Sequence, residues 1–518
     1  METSWSAKMS VKQKLILNSI FASLPRVLAW SLTLFITPYI VHQLGIALFG
    51  TWALLSSLSS YLFLLDFGFA TAIARFIAEA DATQNRNGLS KIFSISLVLY
   101  ACWGVAIASV LLFWQNDICN FLRLEAPDAS VLKVAYIATV FGFLFSMLAT
   151  AYLQMIDGLQ KMNVSGTITS VSIISTNIFN IVALYLGYGI VGLAVGSALI
   201  QAMTLVAALI VVHKNIPDLK FSRFEFPLFK SMLKYGAQLQ VSSLLYIVVI
   251  RTESPIISSI LGSSAVGYYR LANSLAGLSR DIPSLLLSAL IPTATMLHAG
   301  ERREELQRLY ERANTYLAFF AFSVAAFFFC FSESLLRLWL NSEDYLASAL
   351  PMRLMIIGFC ANILTGVCTS IARAMGQTRQ EMIINLTIVL LHLSLNIGLL
   401  HWIGLNGIGV ATAAVLTPMN ILLMTRLSAQ FGFSLLKISK HIFLPNILVV
   451  SISSIIALGV YEIAQSMIQK HISGIRQSEL IALLIAGVTF SLSQLFWGMR
   501  FGIVRIEDLQ SLIRRNAS

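Results

Sequence analysis

Eight ionisable side chains stand inside otherwise apolar stretches of this 518-residue chain: Arg26, Asp66, Arg251, Glu253, Arg270, Arg280, Asp281 and Arg353. Placing such a group at membrane depth costs about 2.5–3.5 kcal/mol on insertion scales, so each is a functional candidate. Five are arginines. A guanidinium is a planar fork of donors, charged at every relevant pH, and it grips paired anionic oxygens bidentately. The three carboxylates could bind and release a cation or a proton, or close a salt bridge. Each residue also has a structural alternative, which is to pair with a neighbour or to snorkel to an interface. Arg26 and Arg353 lean towards snorkelling, and Asp66 towards a buried pair with a basic neighbour such as Arg75. Arg251 and Glu253 are two positions apart, and Arg280 and Asp281 one. On a helix such positions do not face each other, so neither couple is self-evidently a pair.

The elements that must hold these residues are membrane helices. Hydrophobic residues make up 57% of the chain and charged ones 11%, against roughly 25% charged in a soluble domain. Fourteen apolar windows, each near the ~20 residues of a bilayer span, fall at 19–41, 48–72, 90–114, 132–155, 164–186, 190–212, 233–257, 264–297, 313–332, 347–371, 382–400, 407–427, 441–465 and 479–499. The eighth is long, with Pro283 and Pro292 placed to break or kink it. Lys8, Lys12 and Lys14 precede the first window, which exceeds a signal-peptide core and is expected to remain as a helix.

The net charge of +11 raises nucleic acid as a partner, and the positions of the charges answer it. With the N-terminus inside and sides alternating, 25 of the 35 basic residues lie in inside segments and 5 in outside ones. That bias fits spans with both termini cytoplasmic. Spread over eight segments, the basic residues form no groove-binding stripe. Cys102, Cys119, Cys330, Cys360 and Cys368 have no metal-ligand spacing, and no catalytic constellation or phosphate-cradling Gly-rich loop is evident. The expectation is a transporter with no catalytic residues, no metal and no cofactor, with coupling to protons, sodium or the membrane potential left open.

The chain also repeats. Thr37–Leu54 (TPYIVHQLGIALFGTWAL) aligns with Ser254–Leu271 (SPIISSILGSSAVGYYRL) at an offset of 217 residues, matching Pro38 to Pro255, Gly45 to Gly262 and Gly50 to Gly267. The same offset matches Gly187 to Gly404 and Gly192 to Gly409. Six spans per repeat is an even number, so the halves are parallel, related by an axis along the membrane normal. The expected architecture is all-α and polytopic: an N-terminal six-helix half at 1–213, an interfacial linker at 214–232, a second six-helix half at 233–430, and two further helices with a cytoplasmic tail at 431–518. The linker stretch 219–230 (LKFSRFEFPLFK) interleaves phenylalanines with basic residues, and 301–313 (ERREELQRLYERA) is a charged helix candidate.

With its fourteen spans and two halves, the chain resembles the multidrug/oligosaccharidyl-lipid/polysaccharide exporter superfamily. Leu65–Glu79 (LDFGFATAIARFIAE) and Ile256–Ala272 (IISSILGSSAVGYYRLA) carry the likeness, and within the superfamily the chain looks most like Wzx-type flippases. The resemblance implies an inner-membrane protein that moves an undecaprenyl-diphosphate-linked oligosaccharide by alternating access, among membrane lipids and alongside polysaccharide polymerase machinery. On that reading Arg26, Arg251, Arg270 and Arg280 line a cavity for the diphosphate, while Asp66, Glu253 and Asp281 serve ion coupling or gating. Such flippases often carry an Asp shortly before the Ile-Ile pair of the seventh span. This chain has Glu253 near that place. Two alternatives remain. One is a multidrug antiporter on the same fold, for which the net-basic candidates and fourteen spans are unfavourable. The other is a membrane polysaccharide polymerase or ligase, for which the outside loops are short.

Overall fold

In hydrocarbon no water is available to backbone N–H and C=O groups, so a spanning segment satisfies them internally as a helix. The computed structural model describes residues 11–62, 68–287, 290–431, 434–468 and 475–503, and among them it contains helices and no strand. Where they are described, the fourteen apolar windows fall mainly on helix. Eleven helices among the described residues are long and apolar enough to cross a bilayer. The chain is a multi-pass all-α membrane protein.

By contact density the chain divides into two compact units, Met1–Gly267 and Tyr268–Ser518. The first holds α1 (Val11–Leu62), α2 (Phe69–Ala82), α3 (Arg86–Phe113), α4 (Gln115–Phe121), α5 (Ala129–Gly158), α6 (Met162–Tyr185), α7 (Gly189–Asn215), α8 (Phe226–Leu261) and the first turn of α9 (Ser263–Ser284). The second holds the rest of α9, α10 (Leu290–Ala299), α11 (Arg303–Cys330), α12 (Ser332–Leu340), α13 (Ala349–Leu364), α14 (Gly366–Ala374) and α15 (Arg379–Ile403). It continues with α16 (Asn406–Gln430), α17 (Leu435–Ile438), a π-helical turn at Ser439–Phe443, α18 (Leu444–Ile468) and α19 (Ile475–Arg500).

Each unit is filled by apolar residues at helical spacing. In the first, Phe69, Ile73 and Ile77 of α2 pack with Ile95, Met147 and Val212. In the second, Tyr310 and Leu317 of α11 pack with Val367, Ile371 and Leu427. The outer surface is apolar as well. On α19, Leu484, Val488 and Leu492 are all exposed at intervals of four, the face a helix turns to lipid. The charged stretch 301–313 is not a separate helix. Its residues from Arg303 onward form the first turns of α11, because Arg302–Glu305 and the following heptad continue the helical pattern without a breaker. In the linker, the Lys220 and Ser222 amides donate to the Ser90 and Ser94 hydroxyls of α3, and Pro227 sits in the first turn of α8.

The repeat is visible in the backbone. α1 has 52 residues, about 78 Å at ~1.5 Å per residue, far more than the ~30 Å hydrocarbon core. Gly45 breaks it at φ 76°, ψ 166°. Gly262, its counterpart 217 residues on, ends α8 at φ 87°, ψ 175°. These left-handed values suit a residue without Cβ. Gly187 and Gly404, matched by the same offset, likewise have φ of 79° and 60°.

The matched segments also meet. A Cβ on Gly50 would lie 1.9 Å from the Ser263 carbonyl oxygen, and one on Gly267 would lie 2.6 Å from the Ile46 carbonyl oxygen. Ser263 is the 217-residue counterpart of Ile46, as Gly267 is of Gly50. The contact is therefore reciprocal, residue i meeting j' as j meets i'. Gly50→Val or Gly267→Val is expected to lower the yield of monodisperse detergent-solubilised protein several-fold, measured by size-exclusion chromatography. Gly398→Ala, a helical site with open space around it, should match wild type.

Candidate functional site

α9 carries the site's best-defined geometry. Val266, Tyr269, Leu271, Ala272, Leu275 and Ala276 are buried. The other face is half-buried and polar: Arg270, Asn273, Ser274, Gly277, Arg280, Asp281 and Ser284. These positions recur three and four residues apart, so at 3.6 residues per turn they form one stripe, about 21 Å long from Arg270 to Ser284. Two serines on it return their hydroxyls to the helix, Ser274 to the Arg270 carbonyl at 2.7 Å and Ser284 to the Asp281 carbonyl at 2.6 Å. Gly277, one turn before Asp281, leaves the carboxylate uncovered on that side, since even an added Cβ would sit 4.0 Å from Oδ2.

Arg280 and Asp281 do pair. Arg280 Nε donates to Asp281 Oδ1 at 3.0 Å, with both side chains about three-quarters buried. Adjacent positions on a straight helix point about 100° apart, but an arginine is long enough to fold back. The Phe359 ring of α13, 4.9 Å from Cζ, holds the guanidinium from another side. Helix α9, with Pro283 in its last turn, ends at Ser284 and is followed by the 3-10 turn Leu285–Leu287, so the pair lies at the end of the continuous helix.

Among the other sequence candidates, Glu253 is half-buried on α8, two residues before Pro255, which has no N–H to give the Arg251 carbonyl. Arg26 lies on α1 and Arg251 on α8, with side chains outside the described set, and Asp66 lies outside the described residues. The structure thus brings Arg270, Arg280 and Asp281 onto one helix face. Asn273, Ser274 and Ser284 complete that face and were missed by a search confined to charges. Their spacing from Arg270 was the available signal.

Several charges prove to be framework. Arg353 has partners on a neighbouring helix. It donates to the Ser332 hydroxyl at 2.6 Å and pairs with Glu333 at 3.0 Å, tying α13 to the start of α12. Arg373 grips Glu381 bidentately at 2.5 and 3.2 Å between α14 and α15. Glu479, 2% exposed on α19, accepts from the Tyr461 hydroxyl at 2.6 Å and from Gln465 at 3.1 Å, with Arg337 3.8 Å away. His392 is buried between α15 and α16 against Thr412 at 3.2 Å, a packing histidine. Tyr269 is buried in the core, so it is closed to a ligand. The five cysteines are free thiols.

Residues 15–298 match the family described as polysaccharide biosynthesis protein, and residues 241–397 match MatE. Over 378 residues the chain is 22% identical to the "Putative O-antigen transporter" of Shigella flexneri, spanning 72% of this chain and 88% of that relative. The solved structure of the lipid II flippase MurJ in an inward closed conformation matches at TM-score 0.68 and 15% identity, over 94% of this chain and 99% of that one. An inward-facing multidrug resistance MATE family transporter of the MOP superfamily matches at TM-score 0.63 and 14% identity, over 81% and 97%. At these identities the structural likeness is one of fold.

Removing one partner of a buried, hydrogen-bonded charge network leaves the others uncompensated. Glu479→Leu is expected to destabilise the α12–α18–α19 packing by about 2 kcal/mol, discounted for the part exposure of Arg337, read as a lowered melting temperature in detergent.

Proposed function

Because this chain belongs to the polysaccharide biosynthesis protein family, within the multidrug/oligosaccharidyl-lipid/polysaccharide exporter superfamily, we propose that it is a flippase that carries an undecaprenyl-diphosphate-linked oligosaccharide from the cytoplasmic to the periplasmic leaflet of the inner membrane. The observation that carries this reading is the polar stripe of α9, where a tethered arginine stands among apolar helices. A lipid diphosphate is a doubly charged group that must be hidden from hydrocarbon during transit. Arg280 is already screened by Asp281 and Phe359, so its charge is tolerated when no substrate is bound. A diphosphate oxygen can then take the place of the carboxylate, trading one charge-assisted contact for another. Arg270 extends the same face, and Arg26 and Arg251 serve as further stations. Asn273, Ser274 and Ser284 offer neutral hydrogen bonds beside the charges.

Asp281 is the counter-charge in this scheme: it holds Arg280 while no substrate is bound and takes the guanidinium back when product leaves. Glu253 and Asp66 are the remaining candidates for ion coupling or gating, with protons, sodium or the membrane potential as the driving gradient. Transport by alternating access needs no chemistry on the substrate, so none of these residues is given a catalytic role. Both termini are assigned to the cytoplasm on the basic-residue bias. A neighbouring polysaccharide polymerase would receive the product. The MatE match over 241–397 favours a second reading, multidrug export, which the same experiments address.

A deletion strain should accumulate lipid-linked repeat units on the cytoplasmic face and lose surface polysaccharide. Unchanged polysaccharide with drug hypersensitivity would instead favour the antiporter. In the complemented strain, Arg280→Ala is expected to lower transport at least tenfold at normal membrane abundance, since a hydrogen bond to a charged group contributes about 1.5–3 kcal/mol. Asp281→Asn, which leaves Arg280 without its counter-charge, should also change the transport rate at normal membrane abundance. Transport equal to wild type in both variants would remove the pair from the mechanism. A fluorescent protein fused after Ser518 should fluoresce, and alkaline phosphatase at the same place should be inactive.

A further inference from the structure

Away from the α9 stripe, a second polar site lies where α11 and α18 begin and α19 ends. It is a pocket of about 300 Å³ lined by Arg308, Arg312, Tyr316, His441, Asn446 and Phe501, with Glu311 at its edge. Arg308 and Arg312 are one turn apart on α11, both exposed, and neither forms an ion pair among the described residues. Glu311 accepts from Gln307 at 3.2 Å. Arg308, Arg312 and Glu311 together bring two positive charges and one negative to the pocket, a balance that favours an anion.

A buried acceptor refines the choice. Asn446 is fully buried, and its Nδ2 donates to the Ile442 carbonyl at 2.8 Å, which fixes the amide orientation. Its Oδ1 has no hydrogen-bond partner among the described residues. Such an acceptor is stabilised by a ligand that brings a donor. The carbonyl that orients it belongs to the π-helical turn Ser439–Phe443, an irregularity that recurs at functional sites. Phe501, which lines the pocket, is about half exposed, giving it an apolar edge at the ends of three spans. Phosphodiester, hydroxyl donor and apolar attachment are together the chemistry of one lipid class.

We propose that this pocket binds the headgroup of an anionic phospholipid bearing a free hydroxyl, of the phosphatidylglycerol type, in the leaflet at this end of the spans. Arg308 and Arg312 hold the phosphodiester, the headgroup hydroxyl donates to Asn446 Oδ1, and the acyl chains run over Phe501. In the orientation assigned above this is the inner leaflet. The site does not depend on the identity of the transported molecule.

The test uses the purified full-length protein in mild detergent, with bound lipid counted by native mass spectrometry. Phosphatidylglycerol is expected to be retained about tenfold over phosphatidylcholine and over zwitterionic phosphatidylethanolamine. Arg308→Ala/Arg312→Ala should lose that preference, while Arg308→Lys/Arg312→Lys keeps most of it and shows that the fold is intact. Phosphatidylmethanol has the phosphodiester without the headgroup hydroxyl. Asn446→Val should erase the advantage of phosphatidylglycerol over phosphatidylmethanol and leave binding of the latter unchanged. Glycerol 1-phosphate at millimolar concentration should not displace the lipid; complete displacement would make the ligand a soluble phosphate and overturn the proposal. Equal retention of phosphatidylglycerol and phosphatidylcholine, or an unaltered preference in the double alanine variant, would also overturn it.

Discussion

A hydrocarbon solvent that neither donates nor accepts a hydrogen bond governs this molecule. It forces every span to satisfy its own backbone, so the described segments are built of helices joined by short connections. It also permits the outer surface to be apolar, as on α19, where Leu484, Val488 and Leu492 face outward. In a soluble protein such a stripe would signal an unfilled interface. Here it meets lipid, and the informative residues are the polar ones on inward faces.

The same solvent leaves helix association short of a hydrophobic driving force, so close approach of backbones matters more. The crossing of segments 45–50 and 262–267 fits that rule. Glycine is needed there twice over. Gly45 and Gly262 adopt left-handed conformations, and Gly50 and Gly267 admit a carbonyl where a methyl would stand. The repeat is therefore more than a trace of ancestry, because its matched residues form a reciprocal contact.

Charges are tolerated in two ways. Some are neutralised by partners that also tie helices together: Arg353 with Glu333, Arg373 with Glu381, and Glu479 with Tyr461 and Arg337. Others stand on a face left half-open, as Arg270, Arg280 and Asp281 do on α9. The Arg280–Asp281 pair is about three-quarters buried and lies beside Gly277, while the carboxylate of Glu479 is enclosed by the helices that hold it.

The amino-acid sequence by itself determined the class and the plan of this protein. Apolar windows of span length, the one-sided distribution of lysine and arginine, and a constant 217-residue offset are properties of the chain in order, and each follows from lipid as solvent. The α9 stripe was also legible in principle, since helical spacing alone puts Arg270, Asn273, Ser274, Asp281 and Ser284 on one side. Only the tertiary structure decided which charges are held. Arg353 reads as a snorkelling residue until Glu333 and Ser332 are brought to it from the neighbouring turn. Arg280 and Asp281 read as divergent neighbours until the long side chain folds back beneath Phe359. Glu479 gives no signal at all, because its partners lie 14, 18 and 142 positions away. Pairing depends on distances in space between side chains, and those are set by how helices pack, not by their order along the chain.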